Sequence, residues 1–186
     1  MRTFVIRSLF LFAFFITGMT HMTSDSQAAD PENTLLLDLK DGQVTIELRP
    51  DLAPNHVARI KELVREGFYD GLTFHRVIPG FMAQGGDPKG NGTGGSGQNI
   101  GAEFSDEPHE RGTVSMARSG HPDSADSQFF IVFQKTSHLD GKYTVWGQVT
   151  EGMRYVSKIK RGDDGNNGSV SDPDKIIKMQ IAADVK

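Results

Sequence analysis

The stretch of greatest chemical interest runs from Phe74 to Asp87 and reads FHRVIPGFMAQGGD. Arg76 carries a guanidinium that stays charged and presents its N–H donors in a rigid fork, so a fixed arginine at a binding site is a strong donor. Gln84 can both donate and accept hydrogen bonds. Phe81 and Met82 lie between these two residues and offer the apolar surface that a small binding pocket requires. By residue type alone, however, Arg76 would more often be a strand arginine that makes a surface ion pair.

Two further blocks give this stretch its context. Ser115 to Arg118 reads SMAR and is followed by SQFFI at 127–131, and a third block, LDGKYTVWG, occupies 139–147. In order and spacing, the three blocks together resemble the cyclophilin family of peptidyl-prolyl cis/trans isomerases. The resemblance extends over about residues 35–185. It implies a closed eight-stranded antiparallel barrel with an α-helix over each end.

The resemblance also implies a reaction that needs neither a nucleophile nor a metal. Rotation about a peptide bond is opposed by a barrier of about 18–20 kcal/mol, whereas the cis and trans forms of an X-Pro bond differ by only about 0.5–1 kcal/mol. A catalyst therefore has only to stabilise the twisted amide relative to both planar forms. No cofactor is expected, and proline-containing polypeptides are the expected partners.

Residue roles follow from the match to the family's motifs. Arg76 takes the place of the donor to the proline nitrogen, and Gln84 that of the residue that binds the substrate backbone. The other expected substrate-binding residues are Phe81, Met82, Ala117, Arg118, Phe130, His138, Leu139 and Tyr143. Phe129 is assigned to the core. His75 is interpreted as structural, because alternation along a strand would point it away from the side of Arg76.

Three positions depart from the family's usual pattern. Arg118 stands where the family often has asparagine, which leaves its side-chain role open. His138 and Tyr143 stand where many eukaryotic members carry tryptophan and histidine. These choices resemble the secreted bacterial branch. The loss of tryptophan also predicts weak binding of cyclosporin, the cyclic peptide that blocks many members of the family.

Other functions have weaker support. A binding module or chaperone that holds proline peptides without turnover is the main alternative, although binding alone does not need Arg76. The sequence 90–95 formally matches G-x-G-x-x-G, but it neither follows a clear strand nor opens a helix, as a dinucleotide site requires. Ser127, His138 and Asp140 could be imagined as a hydrolase triad, but no G-x-S-x-G elbow is present. The six histidines show no metal-binding spacing.

The elements that position these residues are mostly short strands. Two apolar runs, 34–39 and 44–48, flank Asp41-Gly42 and predict a β-hairpin. The spacing of Val57, Ile60 and Val64 predicts a helix over 54–66, and a second short helix is predicted over 154–161. Further strands are predicted at 73–78, 81–84, 113–117, 129–133, 144–149 and 176–182, with a polar loop at 163–174. The fold is therefore mainly β, without the alternation typical of a doubly wound sheet.

The first 28 residues are interpreted as a cleaved signal peptide. Arg2 and Arg7 precede an apolar run at 9–16, and small residues at Ser26 and Ala28 suit a signal peptidase. The run is about half as long as a membrane span, so no stable membrane insertion is expected. Cleavage would change the formal net charge from −4 to −5, because it removes two arginines and one aspartate.

The remaining expectations concern compartment and assembly. With no cysteine, the chain has neither disulfides nor a lipidated N-terminus. Without a long basic run, a nucleic-acid partner is disfavoured. We expect a periplasmic monomer whose isomerase domain spans residues 29–186 and acts on exported proteins as they fold.

Overall fold

The computed structural model describes residues 29–185, so the predicted signal peptide lies outside the described residues. Within this range there are eight strands and two α-helices. The strands are β1 (Thr34–Leu39), β2 (Gly42–Leu48), β3 (Arg76–Ile78), β4 (Met82–Gly85), β5 (Thr113–Met116), β6 (Phe129–Val132), β7 (Val145–Glu151) and β8 (Lys178–Ile181). The helices are α1 (Pro54–Arg65) and α2 (Met153–Val156). The predicted mainly β class is confirmed.

All eight strands form one antiparallel sheet in the order β3-β4-β6-β5-β7-β2-β1-β8. The sheet curls but stays open, with β3 and β8 at its edges, so the prediction of a closed barrel is wrong. Between these edges, the segments 71–74 and 174–176 exchange backbone hydrogen bonds, although neither segment forms a regular strand. The reason is that the outer edge of β3 is already occupied: Val77 N donates to Gly168 O (2.7 Å), and Val77 O accepts from Gly162 N (2.9 Å).

The predicted hairpin is confirmed and shows how the interior is built. Leu39 pairs with Gly42, which leaves a two-residue turn. Leu35 and Leu37 on β1, and Val44 and Ile46 on β2, are fully buried. Because side chains alternate between the two faces of a strand, these apolar positions all point into the curled sheet.

Helix α1 matches its prediction, and a distant residue caps it. Pro54 opens the helix, where a missing N–H costs nothing. The preceding Ala53 gives no side-chain cap. Instead, the Glu103 carboxylate accepts the backbone N–H groups of Asn55 (3.1 Å) and His56 (3.0 Å), and His56 Nδ1 lies 2.6 Å from the same group. Glu103 thus ties the loop before β5 to the helix.

The second helix is shorter than predicted. It ends at Val156 because, after Ser157, the N–H groups of Lys158 and Ile159 bond to carbonyls only three residues back, which tightens the chain. Gly162 then donates to Val77 O, which brings the chain back to β3. No helix within residues 29–185 is long and apolar enough to cross a membrane.

Two apolar clusters lie on opposite faces of the sheet. The larger cluster fills the curl, and the aromatic rings of Tyr69, Phe74 and Trp146 surround Phe129 at its centre with ring centroids 5.7–6.3 Å apart. The smaller cluster is outside the curl and consists of Met82, Phe130, Val132 and Leu139. Phe129 and Phe130 are adjacent in β6, so they belong to different clusters. The assignment of Phe129 to the core is confirmed.

Candidate active site

Strand pairing brings three of the predicted site residues into one row. Arg76 on β3 faces Gln84 on β4, and Gln84 faces Phe130 on β6. Directly opposed residues project from the same face of a sheet. A cavity of about 880 Å³ opens on this face, and all ten predicted site residues border it.

The Arg76 guanidinium is held by three hydrogen bonds. Its Nη1 donates to Gln84 Oε1 (3.0 Å), its Nε to Asn167 O (3.0 Å) and its Nη2 to Asn167 Oδ1 (2.9 Å). Partial burial lowers the pKa of Arg76, but an arginine remains charged at physiological pH. The side chain is therefore a fixed cation with N–H donors still available to the cavity.

Gln84 is oriented by its own chain of hydrogen bonds. Its Nε2 donates to Gln128 Oε1 (2.9 Å), and Gln128 Nε2 donates to Gly92 O (3.1 Å) and Gly94 O (2.8 Å). With Oε1 accepting from Arg76, the amide of Gln84 links the arginine to the glycine-rich loop. The positions of the two polar side chains are thus coupled.

The glycine-rich loop is organised around a buried carboxylate. Asp87, 1% exposed, accepts backbone N–H groups from Lys89, Asn91 and Gly92. Burial alone would raise the pKa of Asp87, but these donors outweigh it and lower the pKa. A Cβ on Gly94 would collide with Asp87 Oδ1. No helix begins nearby in the described chain; the interpretation of 90–95 as a loop is confirmed, and the nucleotide interpretation fails.

The apolar part of the cavity is the smaller cluster. Met82, Phe130 and Leu139 are at least 95% buried, and Phe81 lies partly exposed at the rim. Phe130 meets the Tyr143 ring edge-on at 5.8 Å. The resulting pocket is walled by apolar side chains and suits a small ring that brings no donor and no charge.

The buried side chain of His109 packs against Phe130. The His109 ring stacks on Phe130 with centroids 6.2 Å apart. Its Nδ1 lies 3.0 Å from Asp140 Oδ1 and its Nε2 lies 3.1 Å from Ser115 Oγ. Burial outweighs the attraction of Asp140 and lowers the pKa of His109. This packing restricts the position of the Phe130 ring.

The remaining predicted residues form the rim. Ala117 N donates to Gln128 O (2.9 Å), which fixes the backbone that leads out of β5. The Arg118 guanidinium lies over the Tyr143 ring, 4.6 Å from its centroid. His138 is exposed, and its ring lies 5.5 Å from that of Phe81. His75 also borders the cavity, because β3 begins only at Arg76 and the predicted alternation does not extend to His75.

The imagined hydrolase triad does not assemble. Ser127 is fully buried and donates to Gly86 O (2.8 Å). Asp140 is engaged by the backbone N–H and the ring of His109, and His138 lies at the exposed rim. None of the three is positioned to activate another.

Two residues of the site were missed by the sequence analysis. Asn167 lies in the loop predicted at 163–174, in a left-handed conformation (φ 51°) that asparagine tolerates better than most residues. The sequence Asn-Asn-Gly at 166–168 could have indicated such a turn, because asparagine and glycine favour left-handed backbone. Gln128 was noted inside a motif but given no role, although it orients Gln84.

Comparison with known proteins gives a consistent family. The family model "Cyclophilin type peptidyl-prolyl cis-trans isomerase/CLD" matches residues 34–181. A probable peptidyl-prolyl cis-trans isomerase of Brucella suis is 56% identical over 97% of this chain and 98% of its own. Peptidyl-prolyl cis-trans isomerase B of Bacillus subtilis is 51% identical over 67% of this chain and 89% of its own.

Solved structures show the same similarity. A cyclophilin from Hirschia baltica aligns with a TM-score of 0.77 at 29% identity, over 86% of this chain and 77% of its own. A cyclophilin-type isomerase from Cryptosporidium parvum, solved in the presence of the dipeptide Ala-Pro, aligns with a TM-score of 0.72 at 27% identity, over 80% of this chain and 98% of its own.

Proposed function

Because the chain belongs to the cyclophilin-type peptidyl-prolyl cis-trans isomerases, and is therefore an enzyme that accelerates rotation about X-Pro bonds, we propose that the cavity beside Arg76 is where it acts on exported polypeptides. The observation that carries this proposal is the row formed by Arg76, Gln84 and Phe130. It places a fixed cation and a fixed amide beside an apolar pocket.

The proposed mechanism uses each part of the row. The proline ring enters the pocket of Phe81, Met82, Phe130 and Leu139, while Gln84 and the backbone at Ala117 hold the adjoining peptide. Twisting the amide frees the lone pair of the proline nitrogen, and an Arg76 N–H donates to it. This bond is much weaker in either planar form, so Arg76 stabilises the transition state more than the bound substrate.

Preorganisation gives Arg76 its effect in this mechanism. A free arginine would lose side-chain entropy and reorganise water on meeting the twisted amide. Here the bonds to Asn167 and Gln84 already fix the guanidinium before substrate arrives. The donor therefore needs no rearrangement at the moment of rotation.

Arginine replacement tests whether this cavity is the active site. Arg76→Ala should lower kcat/KM on an Ala-Pro peptide about ten- to a hundredfold, since a charged hydrogen bond contributes roughly 1.5–3 kcal/mol. Arg154→Ala is the matched control, because it removes the same charged side chain at a position that does not border the cavity. Equal activity of the two variants would place catalysis elsewhere.

The proposal that the substrates are exported rests on the N-terminal sequence. Arg2, Arg7 and the apolar run at 9–16, followed by Ser26 and Ala28, support secretion with cleavage after Ala28 and a periplasmic location. Cell fractionation with sequencing of the native N-terminus tests this. A cytoplasmic protein that retains Arg2 would overturn the export proposal and leave the enzymatic one intact.

A further inference from the structure

The cavity has an electrostatic character opposite to that of the whole chain. The chain has 24 acidic and 20 basic residues, yet three cations, Arg76, Arg118 and Lys142, border the cavity. No aspartate or glutamate of the described chain is among its lining residues. Within residues 29–185, none of the three cations lies within 4.0 Å of a carboxylate oxygen.

Arg118 is the cation most able to meet a substrate side chain. It borders both the main cavity and a second groove of about 310 Å³ next to it. Its Nε and Nη2 donate to Lys142 O (3.1 and 2.9 Å), and its Nη1 donates to Ser119 O (2.9 Å). With Tyr143 beneath it and Phe104 at 5.8 Å, the guanidinium is fixed by neutral partners. Its positive charge is therefore not neutralised by an ion pair.

Asp126, a carboxylate that lines the second groove, already has hydrogen-bond donors of its own. Asp126 accepts the backbone N–H groups of Ser96 and Gly97 (both 2.9 Å) as well as the Ser96 hydroxyl. Those bonds hold Asp126 against the segment at Ser96 and Gly97. An acidic side chain brought by a substrate would thus find Arg118 free to pair.

Arg118 is also close enough to the proline pocket to contact a neighbouring residue. Its guanidinium is 4.6 Å from the Tyr143 ring, and that ring is 5.8 Å from Phe130 in the pocket wall. An extended peptide advances about 3.3–3.6 Å per residue. The guanidinium therefore lies within the reach of a side chain one or two residues from the bound proline.

We propose that this isomerase prefers X-Pro segments that carry an acidic side chain within two residues of the proline, and that Arg118 is the residue that selects them. The inference rests on the proposed site and adds a substrate class to it. Complementary charge raises the encounter rate and stabilises the complex. For a partly exposed pair we expect a preference of about two- to fivefold in kcat/KM, weaker at high salt.

Peptides that differ only in charge test the preference. Glutamate or glutamine is placed at each of the two positions before and the two positions after proline, and kcat/KM is measured at low and high salt. The expected result is a Glu-over-Gln preference for at least one position in the wild type. Arg118→Gln should abolish that preference, Arg118→Lys should keep part of it, and Arg154→Gln should leave it unchanged.

The outcomes separate this inference from the function itself. No Glu-over-Gln preference at any position, or a preference that survives in Arg118→Gln, overturns the inference. In either case, turnover of the glutamine peptides by the wild type would leave the isomerase site standing. If the wild type turned over none of the peptides, the proposed site would fail together with the inference.

Discussion

Replacing Phe130 should damage both the pocket and the fold, to degrees that can be worked out from its surroundings. The ring is 5% exposed and packs against His109 and Tyr143. Truncating a buried phenylalanine to alanine costs about 3–5 kcal/mol. Because one side of this ring faces the cavity, we expect a somewhat smaller cost, about 2–4 kcal/mol, which corresponds to a fall in Tm of roughly 5–15 °C.

The effect of Phe130→Ala on activity can be worked out in the same way. If the ring covers about 50 Å² of the bound proline, its loss removes about 1.3 kcal/mol at ~25 cal/mol/Å², or about tenfold in kcat/KM. Phe129→Leu is the control, because Phe129 is fully buried on the opposite face. It should lower Tm while folded protein keeps wild-type activity.

Chemical denaturation of both variants, and a peptide isomerisation assay below their unfolding transitions, test these two expectations. If Phe130→Ala retains wild-type kcat/KM, Phe130 does not form the pocket wall. If Phe129→Leu loses as much activity as Phe130→Ala, the loss of activity reflects general destabilisation of the fold. The assignment of the two faces of β6 to different functions is then refuted.

Three further predictions concern the rest of the site. Asn167→Gly, which keeps the left-handed backbone but removes Oδ1, should lower kcat several-fold with little change in KM, since Arg76 Nη2 loses its acceptor; unchanged kcat would refute the anchoring role. Burial holds the pKa of His75 below its usual range, so its contribution to stability is complete above about pH 6.5 and is lost as the pH falls below it. Denaturation at pH 7.5 and 5.5 should therefore show a smaller pH dependence in His75→Gln, and an equal dependence would contradict this. Cyclosporin should inhibit the wild type weakly and His138→Trp at least about thirtyfold more tightly; strong inhibition of the wild type would show that His138 is not the determinant.

Local sequence patterns predicted the elements and placed the residues within strands. The alternation in 34–48 indicated which side chains face the core, because the period of a strand fixes the face on which each residue lies. The site was predicted in a different way, from the resemblance of the motifs around Arg76 and Phe130 to those of a known family.

Features that depend on distant contacts were not predicted. Arg76 is anchored by Asn167, 91 residues away, and the start of α1 is capped by Glu103, 47 residues beyond His56. Neither partner lies in a periodic segment, so no pattern marks it. The prediction of a closed barrel failed for a related reason, since closure depends on whether the first and last edges can pair, and the outer edge of β3 bonds instead to the distant residues Gly162 and Gly168.

The central claim is that Arg76 stabilises the twisted amide rather than the bound peptide. The most direct measurement is NMR exchange on a proline peptide saturated with enzyme, which gives the cis-trans interconversion rate on the protein, together with Kd from titration. We predict that Arg76→Ala slows this rate about ten- to a hundredfold and changes Kd by no more than about threefold. An unchanged on-enzyme rate with a weakened Kd would contradict the account, because Arg76 would then serve binding alone.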